Sequence, residues 1–124
     1  MIKIAVGGQM DKQNIAALIE KHGQGQVEVS IKSDIEAVLA VKNNQAQYYF
    51  GACATGAGGA LAMAQALLGA QQCLSVSLPG KIISDQEIQK GVEEGKKAFG
   101  FVNTDAEKVV PILVDTILKT QGGN

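Results

Sequence analysis

The stretch Tyr48–Gly69, YYFGACATGAGGALAMAQALLG, restricts what this chain can fold into more than any other part of it. Tyr48-Tyr49-Phe50 is aromatic and strand-prone. Gly51-Ala52 carries almost no side chain, and Cys53 falls where such a strand ends. Thr55-Gly56-Ala57-Gly58-Gly59 follows, then an alanine-rich helix that Gly69 stops. A strand passing through a glycine-dense turn into a helix is the recurring joint of α/β sheets. The helix start leaves its first N–H groups unpaired and carries partial positive charge. Glycines let a ligand approach that backbone closely, which suits a phosphate, a carboxylate or an enediolate.

The rest of the chain repeats the joint. Ile2–Val6 is an apolar strand with Gly7-Gly8 behind it, and a helix over Gln13–Lys21 is closed by Gly23 and Gly25. Val27–Ile31 is the second strand, with Val27, Val29 and Ile31 on one face. Ser33-Asp34-Ile35-Glu36 is a capping box opening a helix to about Lys42, with Ile35, Val38 and Leu39 turned inward and Val41 a further candidate. The third strand is Gln47–Ala52, followed by the Gly59–Leu68 helix. The fourth is Gln72–Leu78, closed by Pro79-Gly80. Ser84-Asp85-Gln86-Glu87 is a second capping box, opening a helix to about Glu94. Lys97–Val102 is the fifth strand, where Gly100 allows close packing. Thr104-Asp105-Ala106-Glu107 reads as a third capping box. Pro111 then either takes the first position of the final helix after a separate turn, which is the expectation, or kinks that helix.

Strands alternating with helices over short connections predict a single α/β domain over residues 1–124, with 122–124 a frayed tail. The architecture expected is a three-layer αβα sandwich around a five-stranded, mainly parallel sheet of Rossmann-like or flavodoxin-like type. With strand order 2-1-3-4-5, the ligand crevice lies between the first and third strands at their carboxyl ends. There the loops Gly7–Lys12 and Ala52–Gly59 face each other.

Composition narrows the partners. Apolar residues make up 46% of the 124, enough for a packed core. The 11 basic residues are all lysines, spread along a chain of net charge −1. No arginine fork or basic cluster is present to read nucleic acid, so no nucleic-acid partner is expected. The longest apolar run is far shorter than a membrane span, and the opening MIKIAVGG enters a strand without a signal-peptide layout. Two cysteines make neither a disulfide framework nor a metal cluster. The expectation is a cytoplasmic protein without metal or cofactor. The Ala60–Leu68 helix has Gln65 as its only polar residue, so one side covers the sheet and the other is left for a homo-oligomer partner.

Several residues at the crevice are candidates for function. A thiol at a helix N-terminus ionises more readily, so Cys53 can act as a base toward a carbon beside a carbonyl, with the Thr55–Gly59 amides steadying the oxyanion. The plain alternative is a small buried residue closing a tight strand end. Thr55, Gly56, Ala57, Gly58 and Gly59 form the anion-site candidate, or else merely let the helix pack closely. The turn departs from the dinucleotide fingerprint, with Leu61 at the third glycine position, and from the lysine-and-hydroxyl ending of a P-loop. Gly8 and Gln9 in the first loop, Lys81 after strand four and Asn103 after strand five complete the ligand-binding candidates. Asp11 is a candidate acid and equally a helix N-cap. His22 closes the first helix at the other end of the sheet, and Cys73 reads as core.

The stretch GACATGAG, with the opening IKIAVGG, the SDIEAV segment and the GKKAFGF strand, resembles the YhfU-like family of small uncharacterised bacterial proteins over nearly the whole chain. The resemblance implies a bacterial cytoplasmic protein and no particular chemistry. The turn Cys53-Ala54-Thr55-Gly56-Ala57-Gly58 is also similar to the C-G-T-G-x-G turn of the ribose-5-phosphate isomerase B and galactose-6-phosphate isomerase family. That likeness implies Cys53 as the base moving a proton between sugar carbons, and Thr55, Gly56 and Gly58 as the anion hole. The family's Asp-His pair is replaced by Gly8-Gln9-Met10-Asp11 here. Its ring-opening histidine after strand four gives way to Ser77-Leu78-Pro79, and its phosphate-gripping arginines have no counterpart.

Overall fold

The computed structural model describes residues 1–54 and 57–121, with the backbone alone for 57–60. The elements are β1 (Ile2–Gly8), α1 (Lys12–His22), β2 (Val27–Ile31), α2 (Asp34–Lys42), β3 (Tyr48–Cys53) and α3 (Ala57–Leu68). They continue with β4 (Cys73–Ser75), β5 (Ser77–Leu78), β6 (Lys81–Ile82), α4 (Asp85–Glu93), β7 (Ala98–Val102) and α5 (Ala106–Gln121). The main sheet has five strands in the order β2-β1-β3-β7-β4, every pairing parallel. One helical layer, α1, α4 and α5, covers the face bearing Ile4, Val6, Phe50, Phe99 and Phe101. The other, α2 and α3, covers the face bearing Ala5, Tyr49 and Ala98. The expected αβα sandwich is therefore present.

The strand order differs from expectation at one step. The last strand, β7, inserts between β3 and β4 instead of lying outside β4. Burial explains the exchange. All five residues of β7 are buried, whereas Leu74 and Ser75 of β4 are only half-buried. An interior strand of a parallel sheet is covered on both faces and needs the apolar sequence, AFGFV, and the shorter, less buried CLS takes the edge. The switch point between β1 and β3 is unaffected, because it depends only on β2 and β3 lying on opposite sides of β1.

The second layer packs closely because its face of the sheet is nearly bare. Gly7 lies opposite Gly51 and Gly51 opposite Gly100, a row of three glycines across adjacent strands. A Cβ on Gly100 would sit 2.5 Å from Leu61 Cγ, so this glycine is what allows α3 to settle on the sheet. Helix α2 answers with Ala37 and Ala40, buried beside Val38 and Val41. Ile35 and Leu39, expected inside, are instead 47% and 36% exposed. The small residues let the helix sit close, and that rotation turns its larger side chains outward.

Local signals at helix starts are mostly realised. Ser33 Oγ accepts from Glu36 N at 3.3 Å and Glu36 Oε1 from Ser33 N at 3.4 Å. Ser84 and Glu87 repeat the exchange at 3.1 Å each way. Hydrogen bonds from Ser33 hold the Glu36 carboxyl below its usual range. That contribution is present at neutral pH and fades as acid protonates the carboxylate. Replacing Ser33 with alanine is expected to cost about 1 kcal/mol, read from the urea midpoint.

Three expectations in the second half are corrected. The strand expected over Gln72–Leu78 is broken: Cys73–Ser75 pairs with β7, and Ser77–Leu78 folds against Lys81–Ile82 as an antiparallel hairpin. Ser77 leaves the ladder because its hydroxyl accepts the Val102 N–H at 2.8 Å. The third capping box is absent: Asn103–Asp105 forms a single 3-10 turn without a side-chain cap, and α5 begins at Ala106. Pro111 is inside α5, not at its start. The missing bond to Glu107 is tolerated because Ala106, Val109 and Val110 before it, and Leu113 and Val114 after it, anchor the helix on the core.

Candidate functional site at the carboxyl ends of β1 and β3

Parallel pairing of β1 with β3 brings the first loop against the end of the third strand, as the crevice expectation requires. Gly8 turns the chain with φ +76°, a left-handed conformation that glycine adopts freely. A Cβ there would lie 2.6 Å from Ala52 N, so β1 and β3 touch backbone to backbone. The Ala52 carbonyl accepts from Gln9 N at 2.9 Å and Met10 N at 3.3 Å. The Gly8 N–H goes to Asp34 Oδ1 at 2.8 Å. These three backbone donors are thus used inside the protein. Gln9 can offer a ligand only its exposed side chain.

The predicted residues of the first and fifth strand ends do meet. Asp11, with φ 56°, occupies the N-cap of α1 but makes no side-chain cap bond. Its Oδ2 instead accepts from Asn103 Nδ2 at 3.1 Å, tying the first loop to the end of β7. Lys12 reaches across to the Lys32 carbonyl at 2.8 Å and belongs to the β2 side. Lys81 is exposed on the hairpin, where its charge helps lower the Glu87 carboxyl after the Ser84 hydrogen bonds have done so. His22, at the end of α1, is remote from this rim.

Cys53 is 2% exposed and closes β3, paired in register with Val102. Thr55 and Gly56, expected to supply anion-binding amides, lie outside the described residues. Ala57, Gly58 and Gly59 form the first turn of α3, and of their side chains nothing is described. Cys73 is buried on β4, where loss of hydration pushes its thiol up. Among the described residues no group of three or more His, Cys, Asp or Glu could hold a metal ion. Nor is any helix there long and apolar enough to cross a membrane.

Two polar residues at this end of the sheet escape a reading of the sequence. Asp34 reads only as the second residue of a capping box, yet its carboxylate turns inward and accepts from both Gly8 N and the Tyr49 hydroxyl. Tyr49 reads as one aromatic of a buried strand. Its ring lies along β3 over Gly51 and beside Gly7, in space that a Cβ on either glycine would fill. Tyr49, Gly51 and Cys53 alternate onto the same face of the strand. Burial, then the hydrogen bond to Asp34, pushes the Tyr49 phenol far up, and it stays protonated at any physiological pH. A tyrosine two residues before a strand glycine is the signal that sequence offered for this pair.

An αβα sandwich with this strand order defines a class of fold, and a solved structure shares the fold. The ribose 5-phosphate isomerase RpiB of Thermotoga maritima superposes with a TM-score of 0.69, over 96% of this chain and 87% of that one. Identity is 15%, so the likeness is one of fold. The chain itself belongs to the family of proteins of unknown function DUF2620, which matches residues 2–117. The uncharacterised protein YhfU of Escherichia coli strain K12 is 40% identical over 115 residues, 93% of this chain and 97% of YhfU, and YhfU of Shigella flexneri matches equally.

Proposed function

We infer that this protein binds a small phosphate- or carboxylate-bearing metabolite at the turn following Cys53, and that Cys53 exchanges a proton with a carbon of that ligand. The observation that carries the reading is that the first loop meets Ala52 and Asn103 beside the buried Cys53 at the end of β3. The isomerase fold of the solved neighbour supports it, since that protein acts on a sugar phosphate. The missing histidines and arginines argue for an open-chain substrate rather than a ring that must be opened.

The test is alkylation of Cys53 with iodoacetamide, with Cys73 as internal control. Saturating inorganic phosphate or a sugar phosphate is expected to slow Cys53 about tenfold or more and leave Cys73 unchanged. Equal rates with and without every anion tried would refute the site.

A second reading is a non-catalytic homo-oligomer that uses the Ala60–Leu68 helix. It is favoured by the apolar surface that α3 shares with its neighbour α2. Ala62 and Ala66 are exposed and Met63, Leu67 and Leu68 half-buried, beside the outward Ile35 and Leu39. Light scattering that gives a monomer at micromolar concentration would exclude it.

A further inference from the structure

We propose that Asp34 and Tyr49 are positioning residues for Cys53, the phenol oxygen accepting the thiol proton and so holding the sulfur in one direction at the floor of the crevice. The proposal rests on the reading of Cys53 as the reacting group. Its physical basis is the construction around Tyr49. Two glycines of adjacent strands, Gly7 and Gly51, are kept bare, and a Cβ on either would come within 2.7 Å of phenol carbons. Space cleared on that scale houses a fully buried ring whose hydroxyl ends on the face that carries Cys53. A tyrosine hydroxyl has one proton and two lone pairs. Asp34 takes the proton, so any further bond of that oxygen is made as an acceptor.

Asp34 is itself fixed. It stands at the first position of α2, whose capping box sets the helix start, and its Oδ1 also holds the Gly8 N–H. The carboxylate, the first loop and the phenol are therefore held as one unit. Among the described residues Lys12 is engaged on the Lys32 carbonyl, Asp11 on Asn103 and Glu36 in the capping box, with the Lys32 charge beside Glu36. With an acceptor oxygen and a carboxylate behind it, the sulfur rests as a thiol with a fixed proton. A resting thiol is shielded from chance oxidation, because the thiolate is the reactive form.

The experiment is the pH profile of iodoacetamide alkylation in the ligand-free protein, for wild type, Tyr49→Phe and Asp34→Asn. Tyr49→Phe keeps the ring and removes the hydroxyl, both the acceptor and the donor to Asp34, whose Oδ1 keeps the Gly8 N–H. Its Cys53 inflection is expected to move at least half a pH unit lower, with Cys53 reacting about threefold or more faster at pH 7. General loosening would raise the rate of Cys73 as well and leave the Cys53 inflection in place, and that result would overturn the proposal. Asp34→Asn keeps an acceptor for both donors while losing the charge, and decides the matter if Tyr49→Phe fails to fold. A lowered inflection in that variant supports the coupling, and an unmoved one refutes it. Failure of phosphate to protect wild-type Cys53 would instead remove the ligand reading and leave these profiles interpretable, since they are taken without ligand.

Discussion

Gly8→Ala is expected to destabilise the protein by about 3 kcal/mol or more, among the largest effects of any single methyl addition to this chain. Two costs combine. The left-handed backbone at φ +76° costs a non-glycine residue about 1 kcal/mol. The new Cβ would also stand 2.6 Å from Ala52 N and 2.8 Å from Ala52 O, backbone atoms that the β1–β3 ladder holds in place. Relief requires β1 and β3 to part where Gln9 and Met10 hydrogen-bond to Ala52. Gly25→Ala is the control, since Gly25 has φ +74° but nothing within 4 Å of its missing Cβ. It should cost only the conformational part, about 1 kcal/mol. Urea titrations of both variants separate the terms, and equal midpoints would show that the contact with Ala52 is not what matters.

Phe99→Ala should cost about 3–5 kcal/mol, a large share of the roughly 5–15 kcal/mol that holds a domain folded. Phe99 is fully buried on the interior strand β7. Its ring meets Phe50 edge-on at 5.8 Å and Tyr48 at 6.2 Å, so truncation leaves a cavity that both neighbours line. Neither ring can collapse into it freely, because both are on β3, which pairs with β7 in register. Phe99→Leu retains most of the apolar volume and should fall in between. A midpoint for Phe99→Ala within error of wild type would mean that the core is less tightly packed around β7 than its burial indicates.

How much of this was legible in the sequence varies with the range of the interaction. The capping boxes at Ser33 and Ser84 were readable because their partners lie three residues apart. The Thr104 box has the same letters and fails, since Asn103 is drawn to Asp11 and the chain enters α5 through a tighter turn. Pro111 illustrates the same override: local preference places it at a helix start, and the apolar residues on both sides hold it in the interior. At the site, Cys53, Asp11 and Asn103 were identifiable as strand-end residues, whereas the pairing of Asp34 with Tyr49 was not. Those two are joined only after β1, α2 and β3 have assembled.

By itself the sequence determined the alternation of strands and helices, hence a parallel sheet between two helical layers, because apolar periodicity and turn residues act within a few positions. It also placed Cys53 at a strand end. Only the tertiary structure decided that β7 lies inside β4, a choice made by which strand can be buried on both faces. Only there do Gly7, Gly51 and Gly100, 44 and 49 residues apart along the chain, align into one row. Register across strands sets that alignment, and it gives Tyr49 its place beside Asp34 and Leu61 its place against the sheet.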